Sequence, residues 1–256
     1  MTLAGQYDSG IEILHVLDRE TLAQCHCNNN GIGVCGIAGG DFARGLHGVK
    51  IMSCQIFTGN ESAGNPAAAI KWGADHGAVI SQNSWGYPDL DTTPESVKAA
   101  VDYFVKYAGL NADGNQVGPM AGGLVVFAAG NERREASSSS YEGILTVTSL
   151  GASFKKASYS NWGSFADLAA PGGDPPNRVL STLPDNKYGW MNGTSMACPH
   201  VSGVAALVVS ACGGPGFTSA DLRRRLETTA RSLSPWDEGY YLGHGLVDAF
   251  RATGAE

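Results

Sequence analysis

Residues 196–212 contain no Asp, Glu, Lys or Arg, and their apolar side chains fall on every side of a helix rather than along one stripe. Such a helix is stable only when covered all round, so the chain must build layers on more than one side of it. Gly213-Gly214 stops the helix. Before it, Asn192-Gly193-Thr194-Ser195 forms a Gly-rich turn that delivers a serine into the first helical turn. The free N–H groups and positive dipole end at a helix start stabilise negative charge. A serine there can attack a carbonyl while backbone N–H groups receive the developing oxyanion. Serine before an apolar helix is also an ordinary cap. Pro199 reads as a first-turn residue, where N–H groups have no intrahelical partner and proline is tolerated.

Strand-like apolar runs alternate with helix-like segments along the rest of the chain. Val49–Phe57, Ala78–Gln82, Leu124–Ala129, Ile144–Ser149 and Val179–Leu183 read as strands. Ala78–Gln82 and Leu124–Ala129 lack polar alternation, as expected of strands buried on both faces of a parallel sheet. Asn65 caps a helix that opens with Pro66 and ends at Gly77, and Thr93-Pro94 repeats the device. Val97, Val101, Phe104, Val105 and Ala108 form the apolar face of that second helix, which Gly109 stops. Ser219–Thr229 and Val247–Thr253 read as C-terminal helices. The alternation predicts an α/β fold: a three-layer sandwich around a mostly parallel sheet, in one domain over residues 1–256 with 1–27 atypical.

Formal net charge is −7 with no basic run, which argues against nucleic acid as the main partner. Charged residues are 16% and apolar ones 43%, so disorder is not expected. No apolar run reaches the ~18–20 residues of a membrane span. Residues 1–10 lack the basic-then-apolar pattern of a signal peptide, which leaves a cytosolic chain or a piece of a longer precursor. The cysteines at 25, 27, 35, 54, 198 and 212 are too irregular for a disulfide framework. Cys25-His26-Cys27 has no second pair at ligand spacing, a poor zinc signature.

Gly193-Thr194-Ser195-Met196-Ala197-Cys198-Pro199-His200-Val201-Ser202-Gly203 resembles the nucleophile segment of the subtilisin-like serine proteases at every fixed position. Cys198 stands where that family has a small or hydroxyl residue. Phe127-Ala128-Ala129-Gly130-Asn131-Glu132 is similar to the family's strand end whose Asn supplies an oxyanion donor. A neutral amide suits that task, since it donates without a competing charge. Ser84-Trp85-Gly86 resembles the extended edge that pairs with substrate backbone and shapes a pocket for an apolar side chain. Tyr159-Ser160-Asn161-Trp162-Gly163, Leu168-Ala169-Ala170-Pro171-Gly172 and Gly245-Leu246-Val247-Asp248-Ala249 extend the resemblance to the C-terminus.

The resemblance implies a carboxylate at the end of an apolar strand and a His opening a helix that reads His-Gly-Thr. Asp8-Ser9-Gly10 matches the first, with a surface turn as its other reading. No His-Gly-Thr occurs. In one register Asn30 replaces the base. In the preferred one, Asn28–Ala38 is the loop after the His helix, Asp18–Cys27 stands where that helix belongs, and His15 lies near its start. His200 lies more than one turn beyond Ser195, His76 ends a helix, and His47 and His244 sit in Gly-rich turns.

In the preferred register the family's loop binds calcium, with Asn30 as the side-chain ligand; no metal is assigned, and no other cofactor is expected. Asn111-Ala112-Asp113-Gly114-Asn115 reads as an Asp-Gly turn. Gly31-Ile32-Gly33-Val34-Cys35-Gly36 fits a dinucleotide fingerprint, but it follows three asparagines rather than a strand.

The expected function is therefore a serine endopeptidase acting through an acyl-enzyme on Ser195, with Asn131 as oxyanion donor, Asp8 as carboxylate, and Ser84, Trp85 and Gly86 lining the substrate site. The absent His motif implies impairment. The rivals are a catalytically silent domain of this fold that binds peptides or proteins, and a truncated or misjoined N-terminus. A monomer acting on polypeptide outside the cytoplasm is expected from the resemblance.

Overall fold

The computed structural model describes residues 12–17, 31, 33–58, 61–62, 64–86, 93–136 and 141–255. Six strands form one sheet: β1 (Glu12–Leu17), β2 (Lys50–Gln55), β3 (Ala78–Asn83), β4 (Leu124–Ala128), β5 (Ile144–Leu150) and β6 (Leu168–Pro171). Their spatial order is β6-β5-β4-β3-β1-β2, and every neighbouring pair is parallel. A separate antiparallel hairpin joins β7 (Val179–Leu183) to β8 (Lys187–Met191).

Helices cover both faces. On one side lie α1 (Pro66–Asp75) and α2 (Glu95–Tyr107), whose Ile70, Val97, Val101 and Phe104 pack with Val125 and Ile144 of the sheet. On the other lie α3 (Thr194–Cys212), α4 (Ser219–Thr228) and α5 (Ala249–Thr253). There Val201, Val204, Ala205, Val208, Leu222 and Leu226 meet Leu124, Val126, Leu145 and Val147. Adjacent residues of β4 and β5 thus serve opposite cores, as the two-residue strand period requires. Burial on both faces explains the unbroken apolar runs. The three-layer α/β sandwich around a parallel sheet agrees with the sequence reading.

Helix α3 is long and apolar enough to cross a membrane by length and composition, yet 67% of its most apolar window is buried inside the fold. It is the core helix that its all-round apolar pattern demands.

Local chemistry fixes the helix ends. The Asn65 side chain accepts from Ala68 N–H at 3.1 Å, with Pro66 as the first helical residue. Thr93 does not repeat this: Pro94 caps α2 with extended backbone, no side chain bonds the free N–H groups, and the helix opens at Glu95. Thr218 and Asp221 form a reciprocal capping box on α4. The last helix is shorter than expected, because Asp248 caps it by accepting from Arg251 N–H at 3.0 Å.

Strand β1 (Glu12–Leu17), which lies inside the sheet, was not among the strands expected from the sequence, and Asp18–Cys27, where the resemblance places a helix, lies outside the described residues. Asp8 itself, Cys25, His26, Cys27, Asn28 and Asn30 lie outside the described residues. His15 stands within β1, with Ser53 and Gln82 as its register partners. His47 belongs to a two-residue strand, Leu46–His47.

Candidate active site

In a parallel α/β sheet, ligands bind beyond the carboxyl ends of the strands. Strand β3 turns polar on reaching that edge: Ser81, Gln82 and Asn83 are fully buried, and Ser84, Trp85 and Gly86 follow. Asn83 stays buried by donating to Ser81 Oγ at 3.0 Å and to the Val126 carbonyl at 3.3 Å, while its own oxygen accepts from Trp85 Nε1 at 3.1 Å. The neighbouring strand β4 ends in Phe127 and Ala128, and residues 129–136 run on from it.

A cleft of about 270 Å³ opens at this edge. Ser84, Trp85 and Gly86 line it together with Asn131 and Ser195. The apolar share of its wall comes from Val97, Phe127, Ile144 and Phe165. Trp85 packs edge-on against Phe127, centroids 5.1 Å apart, so it is at once a core aromatic and a cleft wall.

Ser195 is the second residue of α3, so its backbone N–H has no carbonyl four residues back within the helix. The side chain is half-buried. Its hydroxyl donates to the Ser84 carbonyl at 3.3 Å, and the Ser84 hydroxyl donates to the Ser195 carbonyl at 2.8 Å. This reciprocal pair ties the Ser84–Gly86 edge to the head of α3 across 111 residues of sequence.

Asn131 meets the same turn. Its side-chain oxygen accepts from Thr194 N–H at 2.9 Å and from Thr194 Oγ1 at 3.0 Å. Thr194 Oγ1 in turn accepts from Gly130 N–H at 3.2 Å. With the oxygen held, the amide nitrogen faces the other way, and a Cβ placed on Gly193 would lie 3.8 Å from it. The structure thus brings Ser195, Asn131, Ser84, Trp85 and Gly86 to one cleft.

Two further groups brace the turn, both from the Tyr159–Gly163 segment, to which the sequence assigned no role in the site. Tyr159 places its hydroxyl 2.8 Å from Ser149 Oγ, 3.0 Å from the Gly172 carbonyl and 2.5 Å from the Gly173 carbonyl. Gly172 accepts from Gly193 N–H at 3.1 Å, just before the serine. A Cβ on Gly172 would lie 2.1 Å from Ser149 Oγ and 2.5 Å from the Gly193 carbonyl, so only glycine fits. Asn161, 4% exposed, reaches from the other side to residues 129–134.

Beneath Ser195, Cys198 is fully buried, 3.5 Å from Gln82 Nε2 and 3.7 Å from the Asn83 carbonyl. Burial pushes its thiol pKa up to about 11, so it is an inert packing group rather than a nucleophile. His200 has its Nδ1 2.8 Å from the Met196 carbonyl, one turn back on its own helix, and burial holds its pKa below the usual imidazole range. His76 likewise bonds the Trp72 carbonyl at 2.7 Å, and His244 is exposed, 3.9 Å from Glu227. Among the described residues, the Ser195 hydroxyl makes its hydrogen bond to the Ser84 carbonyl and not to a histidine.

Asn111 uses its side-chain oxygen to accept from Asp113 N–H at 3.1 Å and Asn115 N–H at 2.9 Å, which makes that loop an Asx turn. Among the described residues, no three His, Cys, Asp or Glu side chains cluster closely enough to hold a metal.

Comparison with known proteins places this geometry. The model of the subtilase family matches residues 19–245. A thermophilic serine proteinase of Bacillus sp. (strain AK1) is 33% identical over 236 residues, covering 88% of this chain and 52% of the relative. A subtilisin of Bacillus pumilus is 34% identical over 231 residues, covering 88% of this chain and 72% of the relative. The chain spans about half the length of several relatives it matches.

Among solved structures, a protease from Pseudoalteromonas arctica PAMC 21717 superposes with a TM-score of 0.68 at 26% identity, over 91% of this chain and 68% of that one. The prenylagaramide maturation protease PagA shares the fold, with a TM-score of 0.69 at 18% identity over 96% and 94% of the two chains. The matched residues include the whole described cleft, and the chain belongs to the subtilase family.

Proposed function

We propose that the chain is a serine endopeptidase that hydrolyses peptide bonds through an acyl-enzyme on Ser195. One observation carries this reading: the Ser195 hydroxyl and the Asn131 amide border the same cleft, with Asn131 gripped by the residue next to the serine. In the proposed reaction the Ser195 oxygen attacks the scissile carbonyl carbon, and its proton passes to a general base. The carbonyl oxygen becomes an oxyanion held by the Asn131 amide and the Ser195 N–H. Collapse expels the amine, and water then releases the acyl group. Ser84, Trp85 and Gly86 supply the extended edge for substrate backbone.

The carboxylate expected at Asp8 has a rival. Val16 of β1 pairs in register with Asn83, one residue before Ser84, so β1 runs toward the cleft edge and Asp18 is the next residue but one in sequence. We infer that Asp18 is the better candidate. Loss of activity in Asp8→Asn with full activity in Asp18→Asn would reverse that choice.

A second reading is favoured by one contact. The Ser195 hydroxyl donates to a carbonyl, which cannot take its proton. A domain of this fold without a working base would bind polypeptide in the cleft and cleave it slowly. Labelling by a fluorophosphonate probe separates the two. Ser195-dependent labelling, lost in Ser195→Ala, supports the peptidase. A folded chain that binds peptide but resists the probe supports the silent domain. The family resemblance further favours work outside the cytoplasm, as a monomer.

A further inference from the structure

We propose that Asn161 is the positioning residue of the oxyanion site, clamping residues 129–134 so that the Asn131 amide is aimed at the cleft. The proposal rests on the peptidase reading of the same site.

Asn161 spends both side-chain polar atoms and its backbone N–H on that strap, while its carbonyl accepts from Ser160 Oγ at 2.9 Å. Its side-chain Nδ2 donates to the Ala129 carbonyl at 3.0 Å and to Glu132 Oε2 at 2.6 Å. Its side-chain oxygen accepts from Arg134 N–H at 3.1 Å, and its backbone N–H donates to the Gly130 carbonyl at 3.1 Å. Asn131 therefore sits inside a loop whose residues on both sides are bonded to one buried side chain. Flanking backbone bonds continue the lacing: Arg133 N–H to the Tyr159 carbonyl at 2.9 Å, and Ala136 N–H to the Trp162 carbonyl at 2.9 Å.

The fit is tight. Gly130 adopts φ +92°, and a Cβ there would lie 2.6 Å from Asn161 Nδ2 and 2.5 Å from Glu132 Oε2. The strap is thus shaped around the Asn161 amide. Thr194 holds the Asn131 oxygen from the helix side, and Asn161 holds the backbone that carries it. Asn161 touches no reacting atom, so its contribution is placement. An ångström of misplacement at a donor costs on the order of a hundredfold in rate.

The chemistry of the clamp supplies a discriminating variant. Asn161→Asp keeps the acceptor for Arg134 but sets an oxygen against the Ala129 carbonyl and the Glu132 carboxylate. Two carboxylates this close share a proton, so the donor returns only as pH falls. Glu132→Gln in the same background returns a donor–acceptor pair.

Wild type, Asn161→Ala, Asn161→Asp and the Asn161→Asp/Glu132→Gln double variant would be assayed on a peptide p-nitroanilide from pH 5 to 9. In parallel, the Asn131 side-chain amide, identified through Asn131→Leu, would be followed by NMR of 15N-labelled protein. For Asn161→Ala we expect kcat to fall about tenfold to a hundredfold with KM within about threefold, and the Asn131 amide signal to shift or broaden. The Asn161→Asp activity, relative to wild type, should rise toward pH 5, and the double variant should recover part of it at pH 8. The proposal is overturned by an unmoved Asn131 signal in Asn161→Ala, or by a loss carried by KM alone. Should Asn161→Ala fail to fold, an Asn161→Asp profile parallel to wild type overturns it equally. A wild type that neither turns over peptide nor reacts with a fluorophosphonate sinks the peptidase reading, and the NMR comparison alone then decides whether Asn161 aims Asn131.

Discussion

Thr194 grips the side-chain oxygen of Asn131 twice, through its own N–H at 2.9 Å and its hydroxyl at 3.0 Å. The residue before the serine thereby orients the group that faces it. Asn131→Leu should lower kcat by about 100–1,000-fold while KM changes little. Thr194→Val keeps the N–H contact and the shape, so its effect should be smaller, about tenfold in kcat with about 1 kcal/mol of stability lost. Steady-state kinetics and urea melts of both variants check this. Equal losses in the two would refute the division of roles.

Buried and exposed thiols should part company under alkylation. Cys198 is fully buried with its pKa raised to about 11, whereas Cys35 is exposed. Iodoacetamide at pH 7.5 should modify Cys35 in the native protein and reach Cys198 only after denaturation. Peptide mass spectrometry reads the result, and native modification of Cys198 would show that α3 opens.

The pH dependence of stability should carry the mark of His200. Burial holds its folded pKa below the ordinary 6.5, so the unfolded chain takes up the proton first. Stability from this group is fully present above the unfolded pKa and is lost as pH falls below it. Replacing His200 by Gln should flatten the decline in melting temperature between pH 7 and pH 5. An unchanged slope would mean the imidazole is not desolvated in solution.

Arg223 anchors a partly buried ionic cluster, 2.6 Å from Asp167, 2.7 Å from Glu227, and 2.9 Å from the carbonyls of Glu142 and Ile144. Burial raises the Asp167 pKa, and Arg223 opposes the rise. Arg223→Leu should cost about 3 kcal/mol at pH 7, because it strands a buried carboxylate. A carboxyl with raised folded pKa binds extra protons when folded, so the cost should shrink as pH falls through that pKa. Denaturant melts at pH 7 and pH 5 test the sign, and a cost that grows on acidification would contradict it.

Legibility in the sequence followed the range of the interactions. Ala78–Gln82 and Leu124–Ala129 were readable because burial on both faces leaves an unbroken apolar run. Asn65-Pro66 was readable because a cap acts over three residues. Thr93 misled, since Pro94 itself takes the extended conformation that the cap position needs. Strand β1 escaped notice because Glu12 and His15 break its apolar pattern, and Leu168–Pro171 because four residues carry no period. Both owe their state to pairing with distant strands. At the cleft, Ser195 and Asn131 lie in contiguous motifs, whereas the clamp by Asn161 spans 32 residues to Ala129 and exists only once the chain is folded.

The reciprocal Ser84–Ser195 pair has a consequence for biosynthesis. One rim of the groove leaves the ribosome 111 residues ahead of the hydroxyl that completes it. A nascent chain therefore cannot close this rim until the head of the core helix has emerged, so the cleft is completed only late in synthesis, when most of the sheet is already available to fold.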